Sequence, residues 1–261
     1  MLKDIQQQKQ FKILLLGESC QDVYIFGTVD RISPEAPVPV IRKSSKEYRV
    51  GMSGNVFNNI VSMIPHCQTY VCQNDVKNLK KIRFIDQKSK YQIMRYDIEK
   101  PINELKISDI PDIKYDVVVV SDYDKGFISY KLISQIVSKF KDTKIFVDTK
   151  KVNLSSFKNC VIKLNERESK EAICQHSTAK LITTLGGRGC EYDGEIYPTE
   201  SVEVYDVCGA GDVFLAAMVA RWLETKDIVK SIKTANKCSA LSVTRMGCYT
   251  ISREEYASLC V

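Results

Sequence analysis

The 261-residue sequence has little of several residue types: one Trp, two His, 12 Gly and 7 Pro. So few glycines and prolines exclude collagen-like and low-complexity chains, and 44% hydrophobic residues exclude a broadly disordered one. With only His66 and His176, a Ser-His or Cys-His catalytic triad is not favoured. The composition is that of a globular protein, and its length favours one large domain or two small ones.

Long apolar runs and paired cysteines are also missing. Before Gly17 the apolar core is only Ile13 to Leu16, which is too short for a signal peptide or a membrane span. The ten cysteines include no C-x-x-C pair and the histidines no H-x-x-x-H pair, so neither a disulfide framework nor a zinc site is predicted. Free thiols are typical of a reducing compartment, and we expect a cytoplasmic protein that binds no membrane.

The charge balance is mildly basic. The 38 Lys and Arg residues exceed the 32 Asp and Glu residues, and the net charge is +6. The lysines are scattered, so this excess suits anionic small molecules but falls short of a nucleic-acid signature. We therefore expect no nucleic-acid partner.

Short apolar runs alternate with segments of helical periodicity. Runs that are apolar throughout predict strands covered on both faces, as in parallel sheets. Ser129 to Lys141 predicts a helix with Ser129 as its N-cap. The alternation predicts a mostly parallel sheet covered by helices, with ligands beyond the carboxyl ends of its strands. The predicted strands are Lys12–Gly17, Asp116–Ser121, Lys144–Asp148, Cys160–Leu164 and Leu181–Thr184.

Two segments break this alternation. Residues 24–49 contain three prolines, and residues 81–97 suggest twisted antiparallel strands with one wet face. Together they predict a small β appendage on the α/β body. No repeat or composition break marks a second domain, so residues 1–261 are predicted to form a single domain.

The most informative segment is Asp206-Val-Cys-Gly-Ala-Gly-Asp212, which precedes a helical pattern with one apolar face from Val213 onward. Its small residues predict the turn that opens this helix, where an anion can approach unpaired N–H groups and a dipole of about half a charge. Asp212 follows that turn, where a carboxylate can accept a proton from an attacking hydroxyl. Spacing alone leaves another interpretation open. The glycines could serve only to cap a turn, and Asp212 could serve only as a favourable charge at the positive end of the helix dipole.

This segment resembles the second signature of the ribokinase-like (PfkB) sugar kinases. The resemblance implies that Asp212 is the catalytic base and that Gly209, Ala210 and Gly211 form the anion hole. It extends along nearly the whole chain and implies a ribokinase-like three-layer α/β sandwich with a mostly parallel sheet and a small β-sheet lid. It also implies ATP and Mg²⁺ as cofactors, and it leaves open whether K⁺ assists.

Other motifs resemble the family's sugar site. Leu16-Gly-Glu-Ser-Cys-Gln-Asp22 resembles the opening strand, whose Asp binds sugar hydroxyls, and Gly51-Met-Ser-Gly-Asn55 resembles the Gly-Gly-x-x-Asn turn. The implied substrate-binding residues are therefore Asp22, Gly51 and Asn55. The alternative is that Asp22 and Asn55 cap their own turn and helix.

Three motifs resemble the nucleotide site. Asn165-Glu-Arg-Glu168 resembles the N-x-x-E motif, in which Glu168 would act on magnesium indirectly through water, although such a pair often just starts a helix. Residues 184–189 resemble the nucleotide loop, and segments 235–236 and 243–247 resemble the wall around the adenine. The implied nucleotide-binding residues are Asn165, Glu168, Thr184, Gly186, Gly189, Asn236 and Gly247.

One subgroup of the family fits best. The run Arg31-Ile-Ser-Pro-Glu-Ala-Pro-Val-Pro-Val40 and residues 121–126 are similar to kinases that phosphorylate D-glycero-D-manno-heptose 7-phosphate at its anomeric oxygen. This similarity implies a sugar phosphate as substrate and a homodimer formed through the lid. Lys150 and the lid arginines Arg83 and Arg95 would meet a phosphate, unless they are solvated surface charges.

The sequence also departs from the family pattern. Met52 stands where a Gly is usual, Gly54 where Ala is common, Glu18 replaces an Asp and Cys208 a Thr. The links after Cys72 and Asn165 are short, which predicts trimmed or missing helices. These losses keep two alternatives open: another sugar kinase of the ribokinase or fructokinase type, and an inactive scaffold that binds nucleotide or sugar. We expect no nucleotidyltransferase module after Val261, and the heptose hypothesis then implies a separate enzyme that activates the product.

Overall fold

The computed structural model describes residues 10–260; of the predicted single domain, residues 1–9 and 261 lie outside the described part. The helices are α1 (Ser53–Met63), α2 (Tyr130–Lys139), α3 (Glu166–Glu171), α4 (Ala210–Thr225), α5 (Ile228–Ser242) and α6 (Arg253–Leu259). The strands are β1 (Lys12–Gly17), β2 (Ser19–Ile32), β3 (Pro39–Met52), β4 (Gln68–Gln73), β5 (Leu79–Asp86), β6 (Gln92–Glu99), β7 (Val117–Asp122), β8 (Lys144–Thr149), β9 (Cys160–Asn165), β10 (Lys180–Thr184), β11 (Cys190–Tyr192) and β12 (Glu195–Tyr197).

The main sheet has eight strands in the order β12-β11-β10-β9-β8-β7-β1-β4. Neighbouring strands from β10 to β4 pair in parallel, and β11 and β12 add an antiparallel edge. The five strands predicted from apolar runs all lie in its parallel part. The prediction of a mostly parallel central sheet is therefore confirmed.

Both faces of this sheet are covered, which explains why its strands are apolar throughout. Ile13 and Leu15 point to one face and Leu14 and Leu16 to the other, and all four are fully buried. Helices α1, α4, α5 and α6 cover the first face. The second face is covered by α2 and by irregular segments around residues 105–115 and 154–157.

The predicted shortening or loss of helices agrees with the small number of helices on the second face of the sheet. Only a single 3₁₀ turn, Val76–Asn78, lies between β4 and β5, and α3 has six residues. By contrast, α4 is buried from Val213 to Ala220 on all sides because it packs between α1, α5 and the sheet. The expectation of one apolar face on this helix was therefore too narrow.

A second sheet, which we call the lid, has the order β3-β2-β5-β6. Strand β2 pairs antiparallel with β3 and parallel with β5, while β5 and β6 pair antiparallel. The β appendage is thus confirmed, although the parallel β2–β5 pairing was not predicted. Residues 33–38, within the Pro-rich run, connect β2 to β3 at the tip.

Helix boundaries follow local capping. Ser129 caps α2 as predicted, because its hydroxyl accepts the N–H of Leu132 at 3.1 Å. Helix α4 begins at Ala210 rather than Val213, with Gly209 as its N-cap in the left-handed conformation at φ 76°. Among residues 10–260, no helix combines the length and apolar character that crossing a bilayer requires.

Candidate active site

Two connected clefts meet where α4 begins, beyond the carboxyl ends of β7, β8 and β9. One, of about 1180 Å³, is lined by residues that follow those strands and by Gly209 and Asp212. The other, of about 880 Å³, lies between residues 184–189, residues 199–207 and helices α4 and α5. Gly211 lines both clefts, so two ligands can approach the same helix end from different sides.

Asp212 stands at this junction and is only 3% exposed. The Tyr123 hydroxyl donates to Asp212 Oδ1 at 2.6 Å, and Asn55 Nδ2 donates to Oδ2 at 3.2 Å. Burial raises the pKa of the Asp212 carboxyl to about 6 and the charge of Asp148 adds to the rise, against the two hydrogen bonds and the nearby Lys163. A carboxyl that titrates near neutrality is matched to accepting a proton from a hydroxyl.

Tyr123 was not predicted as a site residue, although residues 121–126 stood out by resemblance. Its position depends on Glu18, which is fully buried. The Glu18 carboxylate accepts the N–H groups of Tyr123 at 2.7 Å, Phe127 at 3.1 Å and Lys125 at 3.3 Å. Glu18 therefore fixes the loop after β7 and holds Tyr123 against Asp212, while burial raises the pKa of the Glu18 carboxyl.

Lys163 is a second residue of the site that was not predicted from the sequence. It lies buried on β9, and its Nζ donates to Asp148 Oδ2 at 2.7 Å. A Cβ at position 211 would lie 2.7 Å from Lys163 Nζ, so glycine there makes room for the ammonium group at the start of α4. A lysine within an otherwise apolar strand was the available signal, because a buried ammonium needs a partner or a function.

Positive charge is concentrated where α4 begins. Lys163 and the N–H groups of the α4 N-terminus both present positive charge to the cleft. Asp148 is the partner of Lys163, yet its Oδ1 is buried and accepts no hydrogen bond from residues 10–260. The arrangement suits an anion together with a cation that Asp148 Oδ1 can contact.

Lys150 lines the same cleft, and Glu168 lies beside it. Lys150 Nζ forms an ion pair with Glu168 Oε1 and lies 4.0 Å from Asp148 Oδ1. Burial lowers the pKa of the Lys150 ammonium, but the two carboxylates outweigh it and the net direction is upward. Asn165 and Glu168 also form a reciprocal capping box, at 2.8 and 2.9 Å, so the motif does start a helix as its alternative interpretation held.

The predicted sugar residues cluster on the other side of Asp212. Asp22 is 2% exposed and forms an ion pair with Arg83 from β5. Gly51 lies against the Asp22 carboxylate, and Asn55 Nδ2 also contacts the Gly209 carbonyl at 3.5 Å. The predicted residues Asp22, Gly51 and Asn55 therefore lie in one buried cluster with Asp212. The Asp22 oxygens, however, already contact Arg83 and Cys248.

Met52, a departure from the family pattern, lies at the N-cap of α1 with φ 60° and ψ −134°. This backbone conformation favours glycine and costs a larger residue on the order of 1–3 kcal/mol. The buried Met52 side chain packs with Cys20 and Leu79 below the lid. It therefore fills the space between α1 and the lid strands β2 and β5.

Four of the predicted nucleotide residues share one cleft. Thr184, Gly186, Gly189 and Asn236 line the 880 Å³ cleft, as does Ala210 of the anion hole. The Asn236 side chain donates to the Tyr197 carbonyl at 2.8 Å, so it shapes the wall. Gly247 is not part of that lining.

Gly247 lies at the base of the lid, and Arg95 lies on the lid strand β6. The Gly247 N–H donates to Asp206 Oδ2 at 2.8 Å, and the residue lies beside Tyr24 and Arg49 at the base of the lid. Arg95 pairs with Arg83 in register and shares its face of the lid. It is half-exposed and bound to Asp97 at 3.0 Å, so its phosphate contact stays a prediction.

Comparison with known proteins identifies relatives along the whole chain. Residues 128–255 match the pfkB family carbohydrate kinase. The chain is 30% identical over 305 aligned residues to a bifunctional protein HldE from Campylobacter curvus, covering 96% of this chain and 65% of that protein. It is 32% identical over 298 residues to the bifunctional protein HldE of a Nitratiruptor species, covering 94% and 64%. The chain thus spans about 65% of the length of these relatives.

Solved structures agree on the fold. Phosphofructokinase-2 from Escherichia coli in complex with potassium matches with a TM-score of 0.73 at 15% identity, covering 96% of this chain and 98% of that one. A ribokinase from Thermotoga maritima matches with a TM-score of 0.69 at 15% identity, covering 95% and 99%. At such identity the likeness shows the fold alone, which is ribokinase-like. In its motifs, its fold and the match over residues 128–255, the chain is similar to the pfkB family of carbohydrate kinases.

Proposed function

We propose that the protein is an ATP-dependent sugar kinase that phosphorylates the anomeric hydroxyl of D-glycero-D-manno-heptose 7-phosphate to give the 1,7-bisphosphate. The observation that carries this proposal is the place of Asp212, a buried carboxyl with a pKa of about 6 where two clefts meet at a helix N-terminus. One cleft accommodates a nucleotide and the other its phosphates and the acceptor hydroxyl. Asp212 then removes the proton from that hydroxyl.

Phosphoryl transfer depends mainly on positioning and on stabilising charge. Gly209, Gly211 and the Lys163 ammonium line the cleft where the transferred oxygens would lie, whereas the Ala210 N–H already donates to the Val207 carbonyl at 3.3 Å. Tyr123 and Asn55 orient the Asp212 carboxylate toward the acceptor side. Because hydrogen bonds already hold these side chains in place, they need little rearrangement during the reaction.

The residues present fit a magnesium ion that arrives with the nucleotide. Asp148 Oδ1 is a buried carboxylate oxygen without a hydrogen bond in the described part of the chain, and Glu168 lies across Lys150 from it. Within residues 10–260 no group of three or more His, Cys, Asp or Glu is arranged to hold a metal, which suits an ion bound largely by water and phosphate. Bound there, Mg²⁺ would neutralise phosphate charge.

The heptose phosphate is proposed from the lid and its motif. Residues 31–40 carry the subgroup resemblance and lie at the tip of the β2–β3 hairpin. Lys81, Arg83 and Arg95 lie on one face of the lid with Asp22, as the register shows. A sugar that carries its own phosphate would meet this cationic face while its anomeric hydroxyl reaches Asp212.

An acceptor panel tests the proposal. ADP release is measured with ATP and Mg²⁺ against heptose 7-phosphate, ribose, fructose, fructose phosphates and no acceptor, each with and without K⁺. We expect heptose 7-phosphate to give the highest kcat/KM and a product phosphorylated at the anomeric oxygen by ³¹P NMR. Preference for ribose or fructose would assign a different sugar kinase, and ATP binding without any turnover would assign an inactive scaffold.

Replacing Tyr123 with Phe should move the pH dependence of the reaction. The Tyr123 hydrogen bond lowers the pKa of Asp212, and burial sets that pKa at about 6. Removing the hydroxyl should raise the pKa further, so the acidic limb of kcat/KM should move to higher pH by about half a unit or more. A Tyr130→Phe variant, on the exposed start of α2, serves as the control, and equal profiles for the two variants would contradict the assignment.

We infer that the outer face of the lid forms a homodimer interface. Tyr48, Val23, Ile82 and Tyr96 stand in one row across four strands, and Ile25, Phe84 and Met94 form part of the next. Tyr48 and Tyr96 are 59% and 55% exposed. Such a contiguous apolar face on a sheet is typical of a surface that another protein covers.

Introducing charge on this face should therefore give a monomer. The double variant Tyr48→Lys/Tyr96→Lys should halve the mass measured by sedimentation equilibrium, because two charges would be buried without partners. Tyr91→Lys, at the exposed turn between β5 and β6, is the control and should stay dimeric. A wild-type protein that is monomeric at micromolar concentration would contradict the inference.

A further inference from the structure

Two cysteine thiols face each other between the sugar side and the nucleotide side of the site. Cys208 immediately precedes the Gly209–Gly211 turn, and Cys248 immediately follows Gly247. Their Sγ atoms are 3.5 Å apart, the contact distance of two thiols that are not bonded. Cys208 is half-buried between residues that line the clefts, whereas Cys248 is buried.

One carboxylate holds the two cysteine segments together. Asp206 Oδ1 accepts the Cys208 N–H at 2.9 Å, and Asp206 Oδ2 accepts the Gly247 N–H at 2.8 Å. The backbone N–H of Asp206 itself donates to the Val243 carbonyl at 3.0 Å. The proximity of the sulfurs is therefore built into the backbone, and it does not depend on one side-chain rotamer.

The charges around the pair give the two thiols different roles. Arg83 Nη2 lies 3.4 Å from Cys208 Sγ, and Cys248 Sγ lies 3.4 Å from Asp22 Oδ2. The hydrogen bond from Cys248 and the charge of Arg83 lower the pKa of the Cys208 thiol despite its burial. The same hydrogen bond, together with burial and nearby negative charge, raises the pKa of the Cys248 thiol. Cys208 is thus the nucleophilic thiol and Cys248 the protonated one.

We propose that Cys208 and Cys248 form a reversible disulfide when the protein meets a peroxide, and that this bond switches the adjacent site off. The Cys208 sulfur attacks one peroxide oxygen, the O–O bond breaks, and the released hydroxide takes a proton to leave as water. Cys248 then attacks the Cys208 sulfenic acid, the S–O bond breaks, and a second water leaves. Two thiols lose two electrons and two protons, and one hydrogen peroxide becomes two waters.

Formation of this disulfide changes the site because Cys208 contacts or adjoins residues that shape it. A disulfide needs sulfurs about 2.05 Å apart, so the two must approach each other by more than an ångström. Cys208 then leaves Arg83, the partner of Asp22, and pulls on Gly209, the N-cap of α4. Displacements on the order of 1 Å at such positions lower turnover by roughly tenfold to a hundredfold. A thiol reductant restores both thiols and the original geometry.

Peptide mapping tests the chemical part of this proposal without any assay of kinase activity. The reduced protein is treated with equimolar hydrogen peroxide, remaining thiols are blocked, and trypsin with a Glu-specific protease releases residues 204–221 and 246–253. Each fragment contains one cysteine. We expect the two fragments joined, two hydrogens lighter than their sum, and separate again after dithiothreitol. No link, or a link from either fragment to Cys20 instead, would overturn the proposal.

The switching part rests on the proposed function and is tested separately. Peroxide should lower the wild-type rate of ADP formation at least tenfold, and dithiothreitol should restore it. Cys174→Ser, which removes an exposed thiol elsewhere, should behave as wild type, whereas Cys248→Ser should keep most of its rate after peroxide because no disulfide can form. An equal, fully reversible loss in Cys248→Ser would overturn the switch. A chain that forms the link but shows no turnover when reduced would refute the kinase and leave the thiol chemistry standing.

Discussion

Replacing Asp212 with Asn should lower kcat by about a thousandfold or more, because the variant keeps the shape of the side chain but cannot accept a proton. Nucleotide affinity, measured by calorimetry, should change by less than a factor of about three, since the 880 Å³ cleft does not include Asp212. Asp227→Asn is the matched control. It changes the N-cap of the following helix, where Asn caps as well as Asp, and its turnover should equal that of the wild type.

The same substitution should not destabilise the fold at alkaline pH. The pKa of Asp212 is raised to about 6 by burial, above the value near 3.9 of an unfolded chain. The folded state therefore favours the neutral form, and this contribution is complete at low pH and lost as pH rises through 6. At pH 8 the Asn variant should unfold at the same or a higher temperature than the wild type. Lost activity together with lost stability would instead indicate a structural role for Asp212.

Replacing Lys163 with Met should reduce both turnover and stability. Turnover should fall by about a hundredfold, as expected for one lost charge at a developing anion. The free energy of unfolding should fall by about 3 kcal/mol, because the buried Asp148 carboxylate loses its ion-pair partner. Enzyme assays and chemical denaturation measure the two effects on the same preparation.

A double variant separates the two roles of Lys163. Lys163→Met/Asp148→Asn removes both buried charges, so most of the lost stability should return. Turnover should remain low, since neither residue can then act on the phosphates. Lys180→Met, at the exposed start of β10, is the control and should change stability by less than about 0.5 kcal/mol. Recovery of turnover in the double variant would show that Lys163 only balances Asp148.

The sequence allowed those parts of the fold to be predicted that depend on local patterns. β1 was predicted at its observed bounds, Lys12–Gly17, because a strand buried on both faces is apolar throughout. Ser129 was identified as an N-cap because capping needs only neighbouring residues. The glycine turn and Asp212 formed one short segment, so their motif already indicated an anion site.

Features that depend on pairing between distant segments escaped prediction. The parallel register of β2 with β5 joins residues about 60 positions apart, and no local pattern specifies it. Tyr123 and Lys163 contact the site only because β7, β9 and α4 converge at one sheet edge. Likewise, Cys208 and Cys248 were counted as separate thiols, since they are 40 positions apart in sequence.

The loss of segments was predicted from the short links in the sequence, but the way in which the sheet is covered without them was predicted only in part. The alignments with the two HldE relatives extend over 298 and 305 positions, more than the 261 residues of this chain, so those relatives carry segments that it lacks. The remaining cover on the second sheet face is α2 with irregular segments. The side chains that contact Asp212 come from α1 and from the loop after β7.

The proposed reaction depends on a single proton acceptor, and the pH dependence of catalysis measures the pKa of that group directly. Wild-type kcat/KM for the best acceptor should rise tenfold per pH unit below a pKa of about 6 and level off above it. The residual activity of Asp212→Asn should show no such limb. An acidic limb with the same midpoint in that variant would mean that another group takes the proton.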